Sequence, residues 1–400
     1  MARKRVERNI SFDDVRNKFY INLDYGIDPA TGKQIKKIKT FDKITQARAA
    51  LRKHEAARDA GSVVLPKDTT VAQWLDIWMK NVVRLNRAST TAYAYQNIIS
   101  AHIIPSLGTI PLQKLTPQHL QEYYAHLIRD KGLSSNTARK HHDLLNTALK
   151  LAVRQGVILS NPADRVEAPK IKRPEIHFYN MDHLRQLLQL CHDTRLEVMI
   201  KLAGLLGLRR EEILGLTWSC VDFEHKVIHI KSVRTAAGNA IVIKEPKTDT
   251  SRRTLHMPAD LEDALRREQA RQQSYRDYLG EAYCDEGYVV AHEDGRPMRP
   301  NYASELFVNF IRKHNLPPLT LHGLRHSFAS IANAKGIPMY DIGKALGHSS
   351  PSTTSKVYTH LLDRDHRELL ERMWEEPEPS AIDGNSVTDG HGNLVADHDL

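Results

Sequence analysis

No run of eighteen apolar residues occurs anywhere in the 400-residue chain, so it offers no helix that would cross a membrane. The most apolar stretch, residues 198–208, is interrupted by Lys201. Cysteine is scarce. Cys191, Cys220 and Cys284 are odd in number and far apart, and no disulfide framework or thiolate metal site follows from them. There is no glycine-rich phosphate loop, no His-Glu-x-x-His zinc helix and no Cys-x-x-Cys pair. The basic start, Arg3-Lys4-Arg5, has no apolar segment behind it and so lacks the pattern of a secretory signal. A soluble, intracellular, multidomain protein is the expectation.

What the chain does have is enough apolar material, 41%, for more than one core; its length implies two or three domains. Its 57 Lys and Arg against 48 Asp and Glu leave +9, which suits a polyanionic partner without requiring one. The charge is unevenly spread. Residues 1–60 hold 15 basic against 8 acidic groups, whereas residues 375–400 hold seven acidic groups and no Lys or Arg. Leaving that last stretch aside, the rest carries +16.

Alternation organises the first unit, residues 1–62. Phe19, Ile21, Leu23 and Tyr25 alternate with Tyr20, Asn22 and Asp24, the period of a half-buried strand. Asp28-Pro29-Ala30-Thr31-Gly32 is turn chemistry, and residues 33–41, with four lysines, are expected to pair back. Residues 45–60 read as a helix stopped by Gly61. Two readings fit this small basic unit, a solvated cap and a sheet that reads DNA.

A linker at residues 63–70 leads into residues 71–166, which read as helical throughout. Trp74, Leu75, Trp78 and Met79 form one apolar stripe, and Ser89-Thr90-Thr91 can cap the next helix. Residues 118–127 and 137–153 give two more helices, the latter opened by Ser134 or Ser135. Residues 167–178 form a second linker, where Lys170, Lys172 and Arg173 lie between Pro169 and Pro174 and favour extended backbone. It is either an ordinary solvated linker or a strap along a phosphate backbone. The largest unit covers residues 179–375. Helices are expected at 184–191, 196–206, 303–314, 324–334, 339–346, 353–362 and 363–374, with strands at 227–233, 240–243 and 253–257. The fold class is therefore multidomain: a β-sheet-plus-helix unit, an all-α unit, and a mostly helical α+β unit with a small antiparallel sheet. Residues 376–400 are expected to be a disordered acidic tail.

Five short boxes in the third unit hold the chemistry. Gly207-Leu208-Arg209-Arg210-Glu211-Glu212 sets an arginine at a helix junction, with Glu212 three residues on. Lys247 lies in a turn between strands, within Lys247-Thr248-Asp249-Thr250-Ser251-Arg252-Arg253. His322 and Arg325 share one face of a helix start. His348 follows Leu346-Gly347 just past a helix end, and Tyr358 comes ten residues later. Each box alone has an ordinary alternative: a surface arginine, a hairpin-tip lysine, a capping histidine, an amphipathic-helix tyrosine. His322 and His326 have i, i+4 spacing, but no third metal ligand accompanies them. In this order the five boxes resemble those of the tyrosine recombinases, in particular the integrases of phages and integrative conjugative elements. The resemblance covers the third unit. The helical unit is similar to the family's core-site-binding domain through Thr137 and the closing Asn161-Pro162. The first unit is similar to the arm-site-binding sheet of some integrases.

That resemblance implies a site-specific DNA recombinase working through a 3′-phosphotyrosyl intermediate. Attack on a phosphodiester spreads negative charge over its non-bridging oxygens, which two guanidinium forks bind better than ammonium groups would. Arg209 and Arg325 match those positions. Tyr358 matches the nucleophile, a phenol with a reference pKa near 10 that needs nearby cations to react at neutral pH. Lys247 matches the general acid for the departing 5′ oxygen. His322 and His348 would divide phosphate contact and proton management, in either order, and Glu212 would orient Arg209. Arg252 and Arg253 read as phosphate contacts or strand-surface charges. The phosphotyrosine retains the bond energy, so the resemblance implies no ATP, no other cofactor and no metal.

Double-stranded DNA is the implied partner, at core and arm sites, bound by a homotetramer in the cytoplasm of a bacterial host, on its nucleoid. A directionality factor or DNA-bending protein would complete the assembly. Candidate DNA contacts are Arg87, Thr90, Thr91, Thr137, Lys140 and His141 in the helical unit, and Lys36, Lys37 and Lys39 on a ribbon able to enter a major groove. Lys170, Lys172 and Arg173 join them in the linker. The apolar segment after Tyr358 would dock on a neighbouring subunit or in cis. Competing readings are a chromosome-dimer resolvase, which would lack an arm domain, and a DNA-binding protein that does not cleave.

Overall fold

The structure, a computed structural model, describes residues 3–27, 34–59, 68–172, 175–245 and 252–347. Lys247, His348, Tyr358 and Arg173 lie outside the described residues, as do the expected helices at 353–362 and 363–374 and the acidic tail.

Near the N-terminus four strands, β1 (Lys4–Glu7), β2 (Ile10–Asp13), β3 (Lys18–Ile27) and β4 (Gln34–Phe41), form an antiparallel sheet in sequence order. Period-two alternation puts Ile10, Ile21 and Leu23 on one face, where they pack with Ala47 and Leu51 of the Ile44–Asp59 helix. Two strands were expected and four are present. The additional pair is short, and its turns rest on Asn9 and Asn17, both in left-handed backbone that asparagine tolerates.

The helical unit is built from long segments. The Val71–Trp78 helix continues through a five-residue π segment, Met79–Val83, and the Ser89–Ile98 helix does the same through Ile99–Ile103. Trp74, Trp78, Ile103, Tyr124 and Leu145 lie in its core, and the Trp74 indole donates to the Ala148 carbonyl at 3.0 Å. Ser134 caps the Ser135–Arg154 helix by accepting the Thr137 amide at 3.1 Å. The expected cap at Ser89-Thr90-Thr91 is absent. Ala88 precedes that helix, with no side-chain cap.

The third unit packs Met181–Leu190, Glu197–Leu206, Pro300–Lys313 and Leu321–Ala334 around one core. The expected strand at 227–233 is broken. β5 (Val221–Asp222) and β6 (Val227–Ile230) belong to one sheet, whereas β7 (Val233–Ala237) pairs with β8 (Ala240–Lys244) as a separate hairpin. At the break the Ser232 hydroxyl donates to the Gly215 carbonyl at 2.7 Å. β9 (Arg253–His256) returns beside β6, completing the order β5-β6-β9.

A 21-residue helix, Ala259–Leu279, has no counterpart among the expected elements. Its charged sequence carries only a thin apolar face, and ion pairs help dock it. Lys201, 1% exposed, bonds Glu197 on its own helix at 2.8 Å and Asp260 of the long helix at 2.6 Å, while Arg267 reaches Glu197 at 2.6 Å. The lysine that interrupts the most apolar stretch is therefore a buried, paired joint between helices.

Candidate active site

A glycine begins the site. The Glu197–Leu206 helix ends on Gly207 in left-handed backbone, φ 63°, and the chain turns at once into the short Arg210–Ile213 helix. A β-carbon at Gly207 would stand 2.6 Å from Leu346 and 2.7 Å from Phe328. Gly207→Ala is therefore expected to cost about 1–3 kcal/mol in chemical denaturation, through backbone strain and overpacking together.

Arg209 stands at the N-cap of that short helix, and Glu212 holds it twice. The Arg209 amide donates to Glu212 Oε2 at 2.9 Å and its Nη1 to Oε1 at 2.7 Å. Glu212 is 1% exposed. Burial alone would raise its pKa, but the Arg253 guanidinium and the charge of Arg209 outweigh burial and hold the carboxyl below its ordinary value. Arg210 turns elsewhere, donating to Ser304 Oγ and Glu211, so of the doubled arginine it is Arg209 that faces the site.

The second arginine comes from the Leu321–Ala334 helix, whose first turn Thr320 caps by accepting the Gly323 amide. Arg325 is 2% exposed. Its Nη1 donates to the Gly207 carbonyl and its Nη2 to the Leu346 carbonyl, both at 2.7 Å. His322, one turn earlier, reaches solvent yet stands in a crowded neighbourhood. That crowding, then Arg325 and the other arginines, lowers its pKa and favours the neutral ring at pH 7. His326 packs edge-on against it at 4.8 Å and is pushed down to about 4, by burial first. Among the described residues no cluster of three or more metal-ligating side chains forms, around this pair or elsewhere.

All of this converges on one helix end. The Met339–Leu346 helix stops at Gly347, φ 65°, and the last carbonyls of a helix have no partner within it. Arg325 takes Leu346 O, Arg209 Nη2 takes Gly347 O at 3.2 Å, and Arg253 Nε takes Ala345 O at 2.8 Å. Three guanidinium groups thus cover three consecutive carbonyls at the negative end of the helix dipole. The next residue in the chain is His348.

Arg253 is one residue the sequence reading misplaced. Its side chain is 8% exposed, and it forks onto Glu212 at 3.1 and 3.0 Å while its Nε bonds Ala345. A phosphate contact or strand-surface charge it is not. The signal was strand alternation: Arg253 stands opposite the buried Ile230, two residues before Leu255, which stands opposite the buried Ile228. An arginine at an inward position of a strand needs a buried partner.

The candidate DNA contacts divide. Arg87 and Lys140 are exposed, and Thr90, Thr91 and Thr137 are half-buried near helix starts. His141 is 1% exposed, bonds the Tyr123 hydroxyl at 2.7 Å and packs against His102; burial pushes its pKa down to about 4. It is a core histidine, out of reach of a surface ligand. Lys170 and Lys172 are exposed on a backbone tied to the start of the Ser135–Arg154 helix: Ser135 bonds Lys170 O, and Asn136 bonds both the carbonyl and the amide of Lys172. In the sheet, Lys36 pairs with Asp24 on the face away from the helix. Lys37 and Lys39 stand opposite the buried Leu23 and Ile21 on the helix side, so the three lysines do not share one face.

Two family patterns match the chain: the phage integrase family over residues 178–365, and the phage integrase N-terminal SAM-like domain over residues 70–128. The ICEBs1 integrase of Bacillus subtilis (strain 168) is 26% identical over 367 residues, covering 89% of this chain and 96% of that one. A tyrosine recombinase XerC-like protein of Caldanaerobacter subterraneus subsp. tengcongensis is 26% identical over 326 residues, 77% of this chain and 83% of that one. Among solved structures, the Tn1549 transposon integrase in complex with a circular intermediate DNA gives a TM-score of 0.65 at 22% identity, covering 76% of this chain and 99% of that chain. A lambda integrase dimer bound to a core site gives 0.54 at 19%, covering 95% and 100%. At these identities the structural likeness speaks for the fold.

Proposed function

This chain belongs to the phage integrase family of tyrosine recombinases, and we propose that it cuts and rejoins DNA strands at specific sites to integrate and excise a mobile element. The observation that carries the reading is the convergence of Arg209 and Arg325 on adjacent carbonyls at the helix end that leads into His348. Two guanidinium groups fixed side by side, one of them almost out of water, suit a phosphodiester whose charge grows during attack.

In the proposed reaction the Tyr358 oxygen attacks phosphorus, the bond to the 5′ oxygen breaks, and a 3′-phosphotyrosine forms. Lys247 gives its proton to the departing 5′ oxygen, which leaves as a hydroxyl. A 5′ hydroxyl from another strand then attacks the phosphotyrosine, releasing Tyr358 and joining the strands. Arg209 and Arg325 bind the non-bridging oxygens, Glu212 orients Arg209, and His322 and His348 hold the phosphate or relay the nucleophile's proton. The neutral state favoured for His322 leaves a ring nitrogen able to accept the nucleophile's proton.

The basic sheet at the N-terminus is assigned to arm-site DNA and the helical unit to core-site DNA, with the exposed Lys36, Lys37, Lys39, Arg87, Lys140, Lys170 and Lys172 and the half-buried Thr90, Thr91 and Thr137 as contacts. Two solved relatives are described as a lambda integrase dimer on a core site and a tetramer on a Holliday junction, which supports a tetramer on DNA here. We assign its place of action to the cytoplasm of a bacterial host, on nucleoid DNA, with a directionality factor or DNA-bending protein as accessory. No helix among the described residues is long and apolar enough to cross a membrane.

The test is a nicked core-site duplex from the element's own ends, incubated with wild-type protein in EDTA without ATP. A DNA–protein adduct that survives SDS is expected, because the phosphotyrosine conserves the bond energy. No adduct under any metal or nucleotide condition, despite tight binding, would favour the reading of a DNA-binding protein that does not cleave.

A further inference from the structure

We propose that Arg253 is a positioning residue of the recombination site, one that holds Arg209 and the helix end at Gly347 in register through Glu212 and Ala345. The inference rests on the catalytic reading above and adds to it a residue outside the five boxes' reacting groups.

The argument starts from what the guanidinium touches. Arg253 is anchored by the strand pairing of β9 with Ile230 of β6, so its backbone is fixed to the sheet. Its side chain points inward, 8% exposed, and joins two parts of the site. On one side it forks onto both oxygens of Glu212, the same carboxylate whose oxygens hold the amide and Nη1 of Arg209. On the other side its Nε fixes Ala345 O, one residue before the carbonyl taken by Arg325 and two before that taken by Arg209. A guanidinium can hold a carboxylate with two nitrogens and a carbonyl with a third because its donors diverge in one plane. An ammonium has no such span.

Sharing matters for charge as well as for shape. Glu212 is buried between two arginines. With Arg253 in place the carboxylate is balanced from the β9 side, and Arg209 keeps its Nη2 on Gly347 O. Without Arg253, Arg209 is the cation left beside a buried carboxylate, and its fork is drawn onto Glu212 and away from the Gly347 carbonyl. Arg253 opens β9, six residues after Lys247 in the chain. Arg253 does not touch the phosphate in this account. It acts through Arg209 and through the helix end.

The experiment measures single-turnover adduct formation on the nicked core-site duplex at saturating protein, together with the Kd for the same DNA and the melting curve. For Arg253→Lys the expected result is a cleavage rate about 10²-fold below wild type, with the Kd within roughly threefold, since a displacement of about 1 Å at the reacting groups has that effect. A second variant guards against misfolding. Glu212→Gln with Arg253→Met removes both charges of the buried pair, and Arg253→Met should cost far less in that background than alone, because the two residues act through one another. The inference is overturned if folded Arg253→Lys cleaves at the wild-type rate, or if the losses from Glu212→Gln and Arg253→Met simply multiply. Failure of the wild type itself to form an adduct would sink the catalytic reading instead, and the two failures are told apart by that control.

Discussion

Tyr358→Phe is expected to abolish the covalent adduct, lowering strand cleavage by roughly 10⁴-fold or more while core-site binding is unchanged. A phenol with a reference pKa near 10 is only about 0.3% ionised at pH 7.5, so its reactivity depends on cations close to the phosphate. Phenylalanine keeps the ring and removes the one oxygen proposed to form the new bond to phosphorus. On the proposed reading binding rests on phosphate contacts, so its salt dependence should be the same for both proteins. Gel shift gives the binding and SDS electrophoresis gives the adduct. Equal adduct from the two proteins would place the nucleophile elsewhere.

Arg325→Lys is expected to reduce cleavage by about 10²–10³-fold and also to lower stability by about 1–3 kcal/mol. Both effects follow from the same two hydrogen bonds. Arg325 satisfies Gly207 O and Leu346 O together from a site 2% exposed, tying the end of one helix to the end of another. A lysine keeps the charge but cannot bond both carbonyls and present a planar fork to a phosphate. One carbonyl is then left unsatisfied in a buried place, which is where the stability is lost. The two losses can be separated by measuring the cleavage rate well below the melting temperature of the variant. A variant as stable and as active as wild type would contradict this role for the residue.

Local pattern carried much of the architecture into the sequence. The Met339–Leu346 helix was legible to the residue because apolar spacing runs straight into Gly347, and a serine cap was legible before a long amphipathic run, although only the structure chooses Ser134 over Ser135. β1 and β2 were not, since four-residue strands are too short to show alternation and their asparagine turns are weak signals. The Ala259–Leu279 helix escaped because it is docked by Lys201, Glu197, Asp260 and Arg267, and ion pairs leave no periodic mark. His141 was misplaced for a related reason. Helical spacing places it close to Thr137 and Lys140, but only tertiary packing shows it turned inward against Tyr123.

The site shows the same division. Arg209, Glu212, His322 and Arg325 could be singled out because their boxes, in order along the chain, resemble those of the tyrosine recombinases. Arg253 could not be separated from Arg252 by charge. Only the strand register distinguishes the inward arginine, bonded to Glu212, from its neighbour, which pairs with Glu245. The convergence of three arginines on Ala345, Leu346 and Gly347 is a property of folding alone, assembled from β9 and two helix junctions.

The most direct test of the whole account is to map the covalent bond. Wild-type protein is trapped on the nicked core-site duplex, digested with trypsin, and the DNA-linked peptide identified by mass spectrometry. The account predicts attachment to residues 357–364, a tryptic peptide whose one tyrosine is Tyr358, at the 3′ end of the cut strand, with a free 5′ hydroxyl on the released piece. Attachment at another residue, or through a 5′ phosphate, would contradict it.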